Sequence, residues 1–352
     1  MRPATRRQIL AAAAGFALAP AAFATPEQAL TRFCFGSCAN QTKDQPIWTA
    51  IVAKQPEMFV FLGDNVYADT SDPSEMRVAY RTLAEKPAFQ IARAAMPMLA
   101  MWDDHDYGVN DGGEAFTMKH EARRQFCDFW GEPPDSPRRT QDGGVFASYF
   151  FGPPGRRTQL ILPDLRWNKT EVVPPGGFLA VAGKYIAARI TGRGVSGAYR
   201  PVIDPAATML GATQWAWLEQ QFQKPADLRI IASSLQVLSR GTGWEAWDLF
   251  PHEQSRLEEL IGAANNVILL SGDVHYAELT RAERPGLSPL WELTSSGLTE
   301  VWPNLPPNSR RAAAWRGRNF GLVEIDWDAR CVTLSACAQD GAVKISQRVA
   351  FA

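Results

Sequence analysis

The chain has 352 residues, 46% hydrophobic and 21% charged, with 36 basic against 37 acidic side chains and a formal net charge of −1. That balance supplies a core, excludes intrinsic disorder and leaves no basic footprint, so specific nucleic-acid binding is not expected. Five cysteines in a chain this long exclude a disulfide scaffold.

Residues 1–24 read as a secretory signal. Arg2, Arg6 and Arg7 make a basic start, Ile9 to Ala19 is a short apolar run, and Ala22-Phe23-Ala24 is a small-x-small cleavage site. The run is shorter than the ~20 residues a bilayer span needs. Thr5-Arg6-Arg7-Gln8-Ile9-Leu10 is similar to a twin-arginine export motif, which implies the twin-arginine translocation machinery as a partner and a periplasmic or secreted location. Loss of the segment takes the formal charge from −1 to −4. No later apolar run is long enough to cross a membrane, and residues 25–352 read as one domain.

Strands are predicted at Arg32–Gly36, Met58–Gly63 and Met98–Trp102, with helical stretches at Pro46–Lys54 and Glu75–Ala95 between them. This alternation argues for an α/β core. Glu132 to Met209 is rich in Gly, Pro and Arg. It carries strand candidates at Ala147–Phe151 and Gln159–Leu162, then a long irregular excursion read as loops over a site. Trp167, Phe178, Tyr185 and Tyr199 in that stretch suit either substrate stacking or loop core. Regularity resumes with a helix at Gly211–Gln223, a strand at Arg229–Ser234, a helix at His252–Ala263 and a strand at Val267–Ser271. The tail reads as antiparallel strands at Leu290–Thr294, Phe320–Ile325, Val332–Ala336 and Val343–Val349, expected to complete a second sheet. Cys331 and Cys337 fall on one face of a single strand, ~20 Å apart, which excludes a bridge between them.

Four apolar runs end in polar clusters of metal-ligand type: Gly36-Ser37-Cys38-Ala39-Asn40, Gly63-Asp64-Asn65-Val66-Tyr67, Trp102-Asp103-Asp104-His105-Asp106 and Ser271-Gly272-Asp273-Val274-His275. In open α/β sheets, ligands bind beyond the carboxyl ends of strands. Taken singly, Asp64 also suits a helix cap, Tyr67 core packing, Cys38 a small buried hydrophobe and His105 a solvated acidic loop. Four such ends converging would gather repelling carboxylates, and multivalent cations resolve that repulsion economically.

Gly63-Asp64-Asn65-Val66-Tyr67 resembles the GDxxY element of the calcineurin-like metallophosphoesterases in their purple-acid-phosphatase form. Trp102–Asp106 sits where that superfamily has GNH followed by an acid, and Gly272–His275 at its GHxH. The Cys in the first cluster and the Asp in the third and last make the chain similar to the alkaline phosphatase D (PhoD-like) family from about Arg32 to Arg281, including Asp164-Leu165-Arg166 and Trp247–Arg256. Many members carry a further N-terminal β-domain that this sequence does not show.

The resemblance implies a four-layer α/ββ/α sandwich with two mixed sheets flanked by helices. It implies an exported, metal-dependent hydrolase of small phosphoesters, an alkaline phosphatase or phosphodiesterase, in which a metal-bridging hydroxide attacks phosphorus in line. Asp64 would bridge two metals. Cys38, Tyr67 and His275 would complete an Fe³⁺ site. Asp104 and Asp273 would serve a harder site for Ca²⁺, Mg²⁺ or Mn²⁺, with Gln236 as candidate remaining ligand. Asn65 is open to either orienting or ligating. His105 would protonate the leaving oxygen or stabilise the transition state, and Arg166 would clamp phosphate; a salt bridge to Asp164 is the plainer account of Arg166. Two competing readings are a thiol hydrolase built on Cys38 and a non-catalytic secreted metal- or phosphate-binding protein of the same fold.

Overall fold

The computed structural model describes residues 27–351 apart from 193 and 303, so the predicted signal at 1–24 lies outside the described residues. Among the described residues thirteen strands form two sheets. In the first, β1 (Arg32–Gly36), β2 (Phe59–Leu62) and β3 (Met98–Met101) run parallel, and β11 (Asn319–Asp326), β12 (Cys331–Ala338) and β13 (Val343–Ala350) continue antiparallel from β1. In the second, β5 (Thr158–Leu162), β6 (Leu228–Ala232), β7 (Val267–Ser271) and β9 (Leu287–Ser295) run parallel. They are flanked by β4 (Ala147–Phe151) on one edge and by β8 (Ala277–Arg284) and β10 (Arg311–Trp315) on the other.

The side-chain alternation of each strand explains the layering. Phe33, Phe35, Val60 and Leu62 point into an apolar layer shared with Leu160, Leu162, Ile230, Ile268 and Leu270 of the other sheet. Their sequence neighbours point the opposite way. Cys34, Phe59 and Phe61 pack under α1 (Ile47–Ala53), α2 (Pro73–Ala84), α3 (Pro87–Ala95) and α5 (Lys119–Trp130), through Trp48, Tyr80, Phe89 and Phe126. Ile161, Ile231 and Leu269 pack under α7 (Gly211–Phe222) and α8 (Pro251–Ile261), through Trp215, Leu218 and Leu257. Strands covered on both faces read as continuous apolar runs, which is why they are visible in the sequence. The result is the expected pair of mixed sheets flanked by helices.

Three expectations differ. The stretch predicted as one helix over Glu75–Ala95 is two, because Pro87 cannot continue the first and instead opens α3. The excursion expected to be irregular holds α6 (Gly177–Thr191). The last three tail strands complete the first sheet rather than the second, because β11 pairs with β1, Arg32 opposite Glu324. Only Leu290–Thr294, within β9, joins the second. Cys331 and Cys337 share β12 and all five cysteines are free.

The carboxyl ends of β1, β2, β3 and β7 meet at one edge of the sandwich, held by close backbone approach. Gly63 has φ +94°, and a Cβ there would collide with that of Asp103 and come within 2.9 Å of its backbone nitrogen. We expect Gly63→Ala to lower unfolding stability by about 1–3 kcal/mol, as an overpacked and conformationally strained position, read as a lower denaturant midpoint.

Candidate metal centre

Each strand ends by turning its next residues sharply into the edge. Cys38, Asp64, Asp273 and His275 all have positive φ, at 63°, 50°, 71° and 62°. Non-glycine residues in that region cost about 1–3 kcal/mol each and persist only where surroundings over-determine them. Cross-links between the strand ends do so here. Ala39 N donates to Asp64 O at 2.9 Å and Thr299 N to Cys38 O at 3.0 Å. Asp273 N donates to Ser37 Oγ at 3.2 Å, and His275 N to Ser296 Oγ at 2.9 Å.

One ligand atom from each of Cys38, Asp64 and His275 lies within 4.8 Å of the others. Cys38 Sγ is 3.2 Å from Asp64 Oδ2. Tyr67 Oη is 3.3 Å from that same oxygen and 3.1 Å from His275 Nε2. The four residues expected at the first site are therefore together. Burial, then Asp64 and Asp273, push the Cys38 thiol up. Burial likewise raises Asp64 and the Tyr67 phenol. Burial lowers His275 to about 4, leaving the neutral imidazole that a metal requires. Cys38 Sγ is engaged with Asp64, Ser296 and the Asp273 carbonyl, and the burial that raises the thiol disfavours a free thiolate nucleophile, which counts against the thiol-hydrolase reading.

A second cluster shares Asp64 and adds Asp104 and His105, again within 4.8 Å. His105 Nδ1 is 2.7 Å from Asp69 Oδ1, and its ring stacks on Tyr67 at 4.1 Å. Burial opposes a charge on His105, but Asp104, Asp64 and Asp69 outweigh it and raise the imidazole to about 11. Asp273 and His275 border a cleft of about 150 Å³ with Gln236, Tyr185, Trp244 and Trp302. Gln236 Nε2 donates to Glu278 at 2.7 Å and Thr294 at 3.0 Å, so Oε1, buried and without a partner, is the atom left for a cation. The Asn65 amide nitrogen donates to Met101 O at 2.8 Å and to Asp106, tying the end of β2 to that of β3, while its Oδ1, like Gln236 Oε1, is buried without a partner.

The donor set fits cations. Asp64 Oδ1, Asp104 Oδ1, Asp103 Oδ2 and Gln236 Oε1 are buried without a hydrogen-bond partner. Such groups are rare unless something else satisfies them.

Arg166, expected to clamp a phosphate, is placed otherwise. It is fully buried, and its Nε donates to Asp103. Nη1 donates to Glu245 at 2.7 Å, and Nη2 lies 3.8 Å from Asp104. Asp164 accepts from the Arg166 backbone nitrogen at 2.9 Å, not from its guanidinium. Lys169 completes the group, 2.8 Å from Glu245. Asp104, Asp111 and Glu245 form a third cluster within 4.8 Å. Asp111 N donates to Asp104 at 2.7 Å, and Tyr199 Oη donates to the Asp111 carboxylate. The sequence reading missed Asp111, Lys169 and Glu245. Asp111 continues the acidic loop after β3 and was visible there; Glu245 sits in no motif. Trp167 is core, stacked on Trp102 with rings 5° apart, and Tyr199 is buried. Tyr185 alone reaches the cleft; the Phe178 side chain lies outside the described set.

Removing one partner of a buried charge network costs about 3–5 kcal/mol. Arg166→Ala should therefore lower the denaturant midpoint sharply; a clamp would instead leave stability intact and raise KM alone. Asp64→Asn and Cys38→Ala should each reduce bound metal in elemental analysis, Asp64→Asn the more because two clusters share that residue.

The model of the PhoD-like phosphatase family matches residues 33–333. No curated protein matches the chain. Among solved structures it is similar to one described as the structure of PhoD, with TM-score 0.66 and 14% identity over 95% of this chain and 73% of that one. It is also similar to GAP50, described as the anchor in the inner membrane complex of Plasmodium, with TM-score 0.54 and 11% identity over 92% of this chain and 90% of that one. These two likenesses concern the fold. With the family match running from β1 into β12 and over all four polar clusters at the strand ends, the chain belongs to the PhoD-like phosphatase family of metal-dependent phosphoesterases.

Proposed function

We propose that this chain is an exported alkaline phosphatase or phosphodiesterase whose centre holds Fe³⁺ among Cys38, Asp64, Tyr67 and His275, with Ca²⁺, Mg²⁺ or Mn²⁺ at Asp64, Asp104 and Asp273. What carries the reading is Asp64, whose carboxylate belongs to both ligand clusters, with one oxygen facing Cys38 and Tyr67 and the other buried without a partner. A thiolate and a phenolate, formed as the ion displaces their protons, would suit a ferric ion, and carboxylates alone suit a hard divalent cation. When bound, such ions acidify water and offset charge on phosphate oxygens.

The chain's own residues supply the rest. Asp69 holds His105 Nδ1 and the Tyr67 ring orients the imidazole, so Nε2 is the nitrogen left to give a proton to the leaving oxygen. Cations held beside Asp64 and Asp104 would offset the carboxylate charge that raises His105. Arg166 is a positioning residue: it fixes Asp103 and Glu245 and, through Asp103, the turn that presents Asp104 and His105. The twin-arginine-like segment at 1–24 supports export, a route that carries proteins already folded and loaded.

Hydrolysis of p-nitrophenyl phosphate and bis-p-nitrophenyl phosphate by the metal-loaded protein tests the reading. We expect turnover that a chelator abolishes, and a fall in kcat of ~10²-fold or more in His105→Gln with metal content unchanged. Metal retained with no turnover on either ester would return the protein to the non-catalytic binding reading.

A further inference from the structure

The segment between Glu171 and Asp204 departs from the rest of the surface. Residues 172–203 contain Lys184, Arg189, Arg193 and Arg200 and no Asp or Glu, in a chain whose net charge is −1. Twelve large hydrophobic residues are exposed among the described residues, and six of them fall in this segment. Leu179 is 86% exposed, Ile186 55% and Ile190 78%. Their i, i+7, i+11 spacing puts them on one stripe of α6. The opposite stripe is also apolar and is already partnered. Ala188 is buried, the Tyr185 ring lies 4.4 Å from that of Trp302, and Asn304 donates to the Ala188 carbonyl. The helix is thus apolar on both faces, with one covered by the protein and the other bare. An exposed helix normally turns a polar face outward.

The charged side chains of α6 are both cations, exposed Arg189 beside the bare stripe and exposed Lys184 nearer the covered side, with exposed Arg200 further along the segment. An exposed apolar stripe on a helix whose only charges are cations is the pattern of a helix that lies in the plane of an anionic lipid surface. At 15 residues α6 is too short to span one, and no described helix is long and apolar enough to cross a membrane. The covered side of the same helix gives Tyr185 to the cleft that Asp273 and His275 border.

We propose that α6 and its flanks are a docking surface for an anionic lipid bilayer, which the protein engages from one side with its metal centre adjoining the interface. A second copy of the chain is disfavoured as the occupant, because a segment whose only charges are cations repels itself across a symmetric contact.

Co-sedimentation of the metal-loaded protein with phosphatidylcholine vesicles, with and without about one third phosphatidylglycerol, tests this. We expect binding to the anionic vesicles, weakened at about 0.5 M salt. The double variant Leu179→Glu, Ile190→Glu should lower the partition coefficient about tenfold or more, while leaving p-nitrophenyl ester hydrolysis unchanged. Three results overturn the proposal: no binding to anionic vesicles; binding indifferent to the double substitution; or a dimer in light scattering that the substitution dissociates, which would assign the stripe to a second copy. The binding arm needs no turnover, so its failure and that of the proposed activity are separable.

Discussion

Buried negative charge is the constraint on which this structure turns. Asp64, Asp103, Asp104, Asp106, Asp111, Glu245 and Asp273 lie around one edge of the sandwich, and their mutual repulsion together with burial raises several of them well above the carboxylate range. The protein answers with few cations of its own. Arg166 and Lys169 neutralise Asp103 and Glu245, and His105 stands beside Asp64 and Asp104. Those ion pairs leave oxygens of Asp64 and Asp104 without hydrogen-bond partners, and these are the atoms on which a multivalent cation would settle. The fixed network and these oxygens would then be two halves of one electrostatic solution, one supplied by side chains and one by metal.

The fold supports that concentration of charge by keeping it at the rim of an apolar interior. Each central strand sends alternate residues into the layer between the sheets and into the layer under the helices, so both its faces are covered. Polar chemistry is then confined to where strands stop. Four candidate ligand positions adopt positive φ at those stops, a strain that the dense packing and the cross-links among Ser37, Asp64, Asp273 and Ser296 sustain. Rigidity inside and strain at the rim give a preorganised set of donors.

Against that rigid edge stands the segment holding α6, the only described helix whose outward stripe is apolar to this degree. Its inner side closes the cleft beside Asp273 and His275, and its outer side meets solvent. Position relative to the metal centre, rather than any catalytic group of its own, gives the segment its meaning.

The strands and the four polar clusters were legible in the sequence because strands buried on both faces are continuous apolar runs and their ends are abruptly polar. The clusters that hold Cys38, Asp64, Tyr67 and His275 could thus be picked out from pattern alone, while their grouping into one site came from the family resemblance. What the sequence could not decide was partnership between distant segments. Nothing local says that Phe320–Ile325 pairs with Arg32–Gly36 rather than with the later strands. Nothing local turns Arg166 inward onto Asp103 and Glu245, or marks Glu245 at all, 79 residues further on. Pattern and propensity are short-range properties of the chain, whereas charge compensation in a buried site is fixed only when tertiary packing brings the opposite charges together and removes water from between them.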